Sequence, residues 1–498
     1  MLFVLSLILI LMCLLYVHTS SKKPHNFPPG PFWYPFTGCI KELGEISRKL
    51  GGQHKAFNFM SKQYESNIIG LKLGNRKVVV VLSYPLVKQI LCSEDYDGRP
   101  NDFFLRLRSM GQKIGITSAD GELWLIQRTF VMKHMRQLGF GKETIERMVH
   151  EELEELLLTF EYSNKTAVQV GPILSMSVLS ILWRLVAGSR LPKDDTRLQD
   201  MFKLLKIRQS AFDMAGGRLN MFPWLRFIAP EKTGYNLILR LNEQMRSFFQ
   251  EIIDKHHEEW NPGRDDDVIH AFISHMKEGN DVHPSFTNDQ LLMICIDIFI
   301  AGSHTVTYTL EFAFLMIILH PAIQKKIQTE IDNVFEEDHV ITYSDRMKVP
   351  YVEAVIMEVK RFCHVTPITG PRRTLRDTVL DNYFIPKDTT VLISNYSVHM
   401  DKNIWGDPEV FRPERFLDEN GKLVTSEKLI PFGLGRRRCP GESLARSYIF
   451  LIFVGVLRKY IITNAPNRPK PTGTPIPGIT LIPEEYKVML INRNQKKA

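Results

Sequence analysis

The residue types most suited to chemistry gather around one cysteine. Phe432-Gly433-Leu434-Gly435-Arg436-Arg437-Arg438-Cys439-Pro440-Gly441 sets Cys439 in a glycine-rich, tri-arginine loop, and a helix-like run from Glu442 to Val454 follows directly. Glycines let backbone fold tightly around a sulfur, and the start of a helix offers unpaired N–H groups and the positive end of its dipole. Both features favour a thiolate over a thiol. Such a thiolate can ligate haem iron and push electron density toward O–O cleavage. The plainer reading is an ordinary buried thiol in a glycine loop.

Three other groupings carry polar residues at telling spacings. Glu358 and Arg361 lie at i and i+3 on a helix that follows Pro350, so they can pair, although such a pair is commonly just an exposed helix ion pair. Trp124 and Arg128, at i and i+4, present an indole N–H and a guanidinium on one face, a combination suited to a carboxylate. A Trp packed beside an Arg on an amphipathic helix competes with that reading. An apolar helix from about Thr287 to His320 is centred on Ala301-Gly302-Ser303-His304-Thr305-Val306. Small residues at 301 and 302 would let a diatomic ligand approach, and Thr305 could hydrogen-bond it. His304 either relays protons near neutral pH or satisfies a local hydrogen bond.

The pattern F-x-x-G-x-R-x-C-x-G, met by Phe432, Gly435, Arg437, Cys439 and Gly441, resembles the haem-binding signature of the cytochrome P450 family. The resemblance extends along essentially the whole chain. It implies haem b, with Cys439 as the axial ligand and Phe432 and Gly435 among the cofactor-binding residues. Glu358 and Arg361 with Arg415, in Phe411-Arg412-Pro413-Glu414-Arg415-Phe416, look like the family's structural E-R-R triad. Trp124, Arg128, Arg372 and Arg437 would hold the haem propionates, Arg372 standing where many relatives carry His. The family's A-G-x-(D/E)-T-T is matched at Ala301, Gly302 and Thr305 and departs at His304 and Val306. Thr305 and His304 would then handle oxygen and protons.

By the same resemblance a pocket above the iron takes Ile294, Asp297, Ile298 and Ala301 from that helix. Phe103, Phe104, Ile114 and Ile116 come from the segment before Trp124, and Val365 and Ile368 from the segment after the E-x-x-R helix. Each is equally well plain core, and together they imply a lipophilic substrate. Asp297 is the polar exception, placed to orient a hydroxyl or amine. Electrons would come from NADPH through a flavoprotein reductase, with cytochrome b5 a further partner. Arg436, Arg438, Lys133, His134 and Arg136 suit docking of an acidic partner. Gly121-Glu122-Leu123-Trp124 to Phe140-Gly141 and the 301–306 hexapeptide look most like insect microsomal members. Their clan also holds vertebrate drug- and steroid-hydroxylating forms, so hormone synthesis and detoxification both fit. Two rival functions are a haem-thiolate isomerase or dehydratase acting on a peroxide, and a non-catalytic haem-binding protein.

The frame that must position these groups is large. The chain has 498 residues, 44% of them apolar and 24% charged, enough for an extensive core. Cys13, Cys39, Cys92, Cys295, Cys363 and Cys439 show no C-x-x-C pairing, which excludes a disulfide framework and points to a reducing compartment. A net charge of +8 suits an acidic partner or anionic membrane, and no nucleic-acid motif accompanies it. Residues 2–17 are almost wholly apolar and are followed by Lys22 and Lys23, so residues 1–20 read as a membrane anchor with the body in the cytoplasm, at the endoplasmic reticulum by resemblance. A cleaved signal is the alternative.

Residues 21–36, with Pro28-Pro29-Gly30-Pro31 and Pro35, read as a basic, stiff hinge, and 37–498 as one catalytic unit. Two sequons, at Asn164 and Asn395, would stay unmodified in the cytoplasm. Leu71 to Leu82 reads as two strands turning at Gly74-Asn75, the middle of the chain as helical, and 366–395 as strands again. The fold expected is therefore mainly α with small β subdomains near each end, an α+β body of the P450 type. Leu219 to Ile228, dense in large apolar groups, reads as a loop that is either buried core or, by its place in the resemblance, an entry segment that dips into a membrane.

Overall fold

Helical periodicity through the middle of the chain and β-branched runs at two places decide the layout. The computed structural model of the protein describes residues 2–139, 143–163, 166–191, 195–278 and 283–493. The sequon at Asn164 and the Phe140-Gly141 pair lie outside the described residues. The four valines from Val78 to Val81 do form a strand, since branched side chains pack well on a pleated surface. β1 (Ile68–Leu73) and β2 (Arg76–Val81) make an antiparallel hairpin whose turn places Gly74 at φ +61°.

β3 (Ile368–Arg373), β4 (Thr378–Leu380), β5 (Tyr383–Ile385) and β6 (Thr390–Ser394) follow the Pro350–Phe362 helix. The strands do not form a separate subdomain at each end. β2 pairs in parallel with β6 from the other end of the chain, giving one sheet of order β1-β2-β6-β3. β4 pairs with β5, and β7 (Tyr460–Asn464) with β8 (Val488–Asn492), in two smaller ribbons.

The Asn288–Leu319 helix runs through the main core, with its N-terminus capped by Thr287, whose side chain accepts from the Gln290 N–H. At 32 residues it spans about 48 Å. The Val170–Ala187, Tyr235–Glu258, Pro350–Phe362 and Glu442–Lys459 helices pack around it. Val170–Ala187 and Asn288–Leu319 are apolar enough to span a bilayer, yet both are mostly buried at the centre of the body.

A separate apolar helix, Leu2–Ser21, leaves side chains such as Phe3, Leu5, Leu11 and Leu15 exposed. Lys72 on β1 ties down its end by donating to the Ser20 carbonyl at 2.5 Å and hydroxyl at 2.6 Å. The proline segment after it is no free linker. Phe27 and Trp33 are buried in the core beside the sheet, and the Gly70 N–H on β1 donates to Pro29 O at 2.8 Å.

The segment expected as a loop at 219–228 is two short helices, Gly217–Met221 and Leu225–Ile228. Leu219 is buried, whereas Phe227 is 75% and Ile228 71% exposed. The described cysteines are free. Asn395 is buried, its amide donating to Thr366 O at 3.1 Å and accepting from the Thr369 hydroxyl at 2.9 Å.

One fully buried carboxylate joins the helical and irregular halves. Glu358 accepts from Arg361 Nε and Nη2, both at 2.8 Å, from Arg415 Nε at 3.1 Å and from the Arg412 N–H at 2.9 Å. Arg361 also donates to His399 O and Pro408 O, and Arg415 to Trp405 O and Val410 O. The pair is thus no surface ion pair but a staple on residues 399–416. Glu358→Ala leaves two buried guanidiniums without their acid, which costs about 3–5 kcal/mol. The expected outcome is a matching loss of stability in denaturant unfolding.

Candidate active site

The Cys439 loop is built by its glycines and closed by hydrogen bonds. The Cys439 N–H donates to Phe432 O at 2.9 Å, and the Arg438 N–H to Gly435 O at 3.2 Å. Gly435 sits at φ +69°, and a side chain there would overlap the carbonyl of Leu91, so the loop passes a neighbouring helix only with glycine. Gly441 then starts the Glu442–Lys459 helix. Burial raises the Cys439 thiol above its ordinary value, the Gly441 N–H opposing, Glu442 reinforcing and Arg128 opposing. Desolvation of the sulfur here outweighs one N–H and a nearby guanidinium.

Cys439 lines a cavity of about 400 Å³ whose opposite wall is the Asn288–Leu319 helix. The cavity is also lined by a concentration of positive charge. Trp124, Arg99, Arg128, Arg372 and Arg437 all line the cavity. Arg372 pairs with Asp97 at 3.1 Å, while Arg437 donates to Ala119 O and Asp97 O. Arg437 also lies over the Trp124 ring at 3.8 Å.

Burial, then the neighbouring Arg372, holds Arg437 down to about 9, and burial holds Arg372 down to about 10. Arg99 is lowered well below its ordinary value, by burial and then by Arg372 and Arg437. Trp124 Nε1 and the Nε groups of Arg99, Arg372 and Arg437 are buried donors without a partner. Unpartnered donors and surplus positive charge fit a flat cofactor bearing two carboxylates, as haem does. Arg128 lines the same cavity, and its Nη2 also donates to Arg438 O of the cysteine loop at 2.7 Å. Arg99 was not singled out in the sequence, since no helical spacing connects it to the others.

Across the cavity, Ala301, Gly302, Thr305, Val306 and Thr309 form the wall. Thr305 Oγ1 donates to Ala301 O at 2.9 Å, leaving lone pairs free to accept. Gly302 serves packing as well as access: a side chain there would overlap Leu182 Cδ1 on the Val170–Ala187 helix. His304, about 100° around the helix from Thr305, is absent from the cavity lining. Its Nδ1 shares a 2.9 Å hydrogen bond with the Ser303 hydroxyl, and its ring lies edge-on to Phe202. Burial, then Arg208 and Lys206, lowers it to about 4, so it is neutral at pH 7. It therefore serves a local hydrogen bond rather than a relay into the cavity.

Asp297 lines the cavity with its carboxylate engaged. It pairs with Arg108 at 2.7 Å and accepts from the Ile116 and Thr117 N–H groups at 2.8 Å each. It thereby pins the 108–117 segment to the helix, which differs from orienting a substrate. Ile116, Ile298, Ala301 and Val365 also line the cavity. Phe103, Phe104, Ile114, Ile294 and Ile368 do not. Phe104 packs on Phe212 and Phe103 on Tyr235, Ile294 is in the main core, Ile114 packs against that core, and Ile368 joins the core beside the sheet. Lys360, His364 and His399 line the cavity and were not expected there.

The sequence model of one family, described as Cytochrome P450, matches residues 28–490. The chain is 41% identical to a probable cytochrome P450 305a1 of Drosophila melanogaster, covering 95% of this chain and 96% of that protein. It is 35% identical to farnesoate epoxidase of Bombyx mori, covering 99% and 100%. It is 30% identical to human cytochrome P450 2J2, covering 95% and 92%.

Two outcomes follow from this geometry. Denaturant unfolding of Gly302→Ala/Leu182→Ala should show a loss smaller than the sum of the single losses, because shortening Leu182 relieves the overlap. His304 at about 4 and His399 at about 3 both lie below the roughly 6.5 of an unfolded histidine. The unfolded chain therefore takes up protons first, and stability is lost as pH falls from about 6.5 toward 4, by up to about 1.4 kcal/mol per unit for each histidine. Thermal unfolding at pH 7.5 and 5 should show this drop, with a smaller drop in His304→Asn; an equal drop in that variant contradicts it.

Proposed function

The chain belongs to the cytochrome P450 family, a monooxygenase family of haem-dependent oxidoreductases, and from that premise we propose that it is a membrane-anchored enzyme oxidising a lipophilic small molecule. One oxygen atom of O2 enters the substrate as a hydroxyl or epoxide. The other leaves as water, with two electrons from NADPH through a reductase and two protons. The observation that carries the reading is that Cys439 and Thr305 line one cavity whose cationic rim has unpartnered donors. When bound there, haem would supply the redox chemistry, and the Cys439 sulfur would hold its iron.

The rest falls to the chain's own side chains. Trp124, Arg99, Arg128, Arg372 and Arg437 would hold the cofactor's carboxylates. Ile116, Ile298, Ala301 and Val365 exclude water from the substrate side. The Thr305 hydroxyl accepts and passes a proton at Oγ1, exchanging its bond to Ala301 O. Epoxidation of a farnesoate-like isoprenoid draws support from the Bombyx mori relative.

An endoplasmic-reticulum membrane location is supported by the exposed apolar helix Leu2–Ser21 with Lys22 and Lys23 after it. Exposed Phe32, Tyr34 and Phe36 lie near exposed Trp224, Phe227 and Ile228: Met221 abuts Gly74, whose N–H donates to Thr37 O. Together these make a broad apolar rim on the side where the helix leaves the body. Exposed Lys133, Arg136 and Arg438 suit an acidic reductase, whereas Arg436 is already paired with Glu94.

Reductase-coupled holoprotein should give oxygenated products from isoprenoid acids and esters in strict proportion to NADPH. Thr305→Ala should cut product by at least about tenfold while NADPH oxidation continues. Product formed without NADPH, or a wild-type holoprotein without the reduced-CO band, would refute the reading.

A further inference from the structure

Away from the cavity, two buried histidines converge on one carboxylate oxygen. His256, near the end of the Tyr235–Glu258 helix, is 6% exposed, and Asp267 and His270, where the Val268–Glu278 helix begins, are 1% exposed each. None of the three lines the cavity. Asp267 divides its oxygens between two tasks. Oδ1 accepts from the His270 N–H at 2.7 Å, capping the helix. Oδ2 faces both rings, with His270 Nδ1 at 2.6 Å and His256 Nε2 at 3.4 Å.

The His256 contact is the unusual one. Its Nδ1 lies 2.7 Å from Ile252 O, and a carbonyl only accepts, so the neutral ring carries its proton on Nδ1. Nε2 then turns a lone pair toward a carboxylate oxygen, at a depth where water screens little of the repulsion. Such a contact holds only with a cation between the two atoms, either a second ring proton or a metal ion.

Geometry favours the metal. Neighbouring ligands of a tetrahedral zinc with bonds of about 2.0 Å lie about 3.3 Å apart, close to the 3.4 Å found here. One ligand atom from each of the three residues lies within 4.8 Å of the others. His256 already has the support that a metal-bound imidazole needs, since its other nitrogen donates to Ile252 O. His270 Nε2 is buried without a partner, so nothing fixes that ring in one tautomer, and its Nδ1 proton can pass to Nε2. Gly188, at φ +63°, ends the Val170–Ala187 helix against Asp267, and a side chain there would come within 2.7 Å of Oδ2. Its absence keeps that oxygen open. Asp266 is exposed and pairs with Arg264 Nε at 3.0 Å, and its Oδ1 lies 3.6 Å from His270 Nδ1, so it links the cluster to solvent.

We propose that His256 Nε2, Asp267 Oδ2 and His270 Nδ1 bind one zinc ion, with Asp266 or water in the fourth position. Two imidazoles and a carboxylate with one further oxygen suit zinc. The ion staples the Tyr235–Glu258 helix to the Val268–Glu278 helix. The first of these also packs on the central helix, where Phe249 meets Phe299, so the staple steadies the body without touching the reacting groups. The inference stands apart from the monooxygenase reading.

The test uses untagged full-length holoprotein, purified without chelator and analysed for metals. Zinc should match haem iron at about one per chain. After dialysis against dipicolinate, zinc at about a hundredfold excess over its Kd should raise the melting temperature by about 2–3 °C. His256→Asn keeps a donor for Ile252 O and His270→Asn keeps one for Asp267, while each removes a ligating nitrogen. Both variants should lose the zinc and the shift.

Protein that neither holds zinc nor shifts on its addition overturns the proposal and leaves a proton between His256 and Asp267. Zinc that leaves the melting temperature unchanged, copper or non-haem iron in its place, or an equal shift in either variant overturns it as well. Should a variant fail to fold, zinc content and the zinc-dependent shift of the wild type decide the matter.

Discussion

The carboxylate of Glu358, fully buried between two arginines, is the constraint on which the rest of the structure depends. Its charge is compensated from Arg361 on its own helix and from Arg415 some fifty residues on. The spare donors of both arginines then bind carbonyls in residues 399–410. That segment has little regular structure to hold it, and it leads directly to the cysteine loop. A buried ion group adds little net stability relative to apolar packing, but it tolerates few alternative geometries. Fixing 399–416 against the Pro350–Phe362 helix fixes the path on which Cys439 must lie.

Charge balance then divides the cavity into two regions. Near the cysteine, four arginines face chiefly one acid, Asp97, and several N–H donors stay unpaired. On the Asn288–Leu319 helix, Asp297 is matched by Arg108. The region near the cysteine is thus the one short of negative charge, and it adjoins space for a ligand. Desolvation amplifies this shortage, because in a low-dielectric interior each missing hydrogen bond counts far more than it would in water.

The long central helix serves both regions through its rotation of about 100° per residue. Thr305 faces the cavity, and His304, one residue earlier, faces Phe202 and the Thr196–Ala211 helix. An adjacent pair that looks like one functional unit in linear order is split between catalysis and packing. Gly302 unites the two roles, since the close approach of Leu182 needs the same missing side chain that opens the wall.

Much of the site was legible in the linear order because its groups sit at local spacings. The glycine-bracketed Cys439, the i and i+3 pair of Glu358 and Arg361, and the i and i+4 pair of Trp124 and Arg128 need only a helix or a turn to form. The same holds for the Val78–Val81 strand and for the helix capped by Thr287. Long-range contact decided everything else. The parallel pairing of β2 with β6 made one sheet of two strand clusters. The backbone N–H groups of Ile116 and Thr117 took the Asp297 carboxylate, and the surroundings of Arg99 and Arg208 turned unremarkable arginines into buried, underpaired charges. The reason is physical: local spacing sets which side chains share a face, but burial and partner count set what a charge can do, and both depend on elements that meet only after folding.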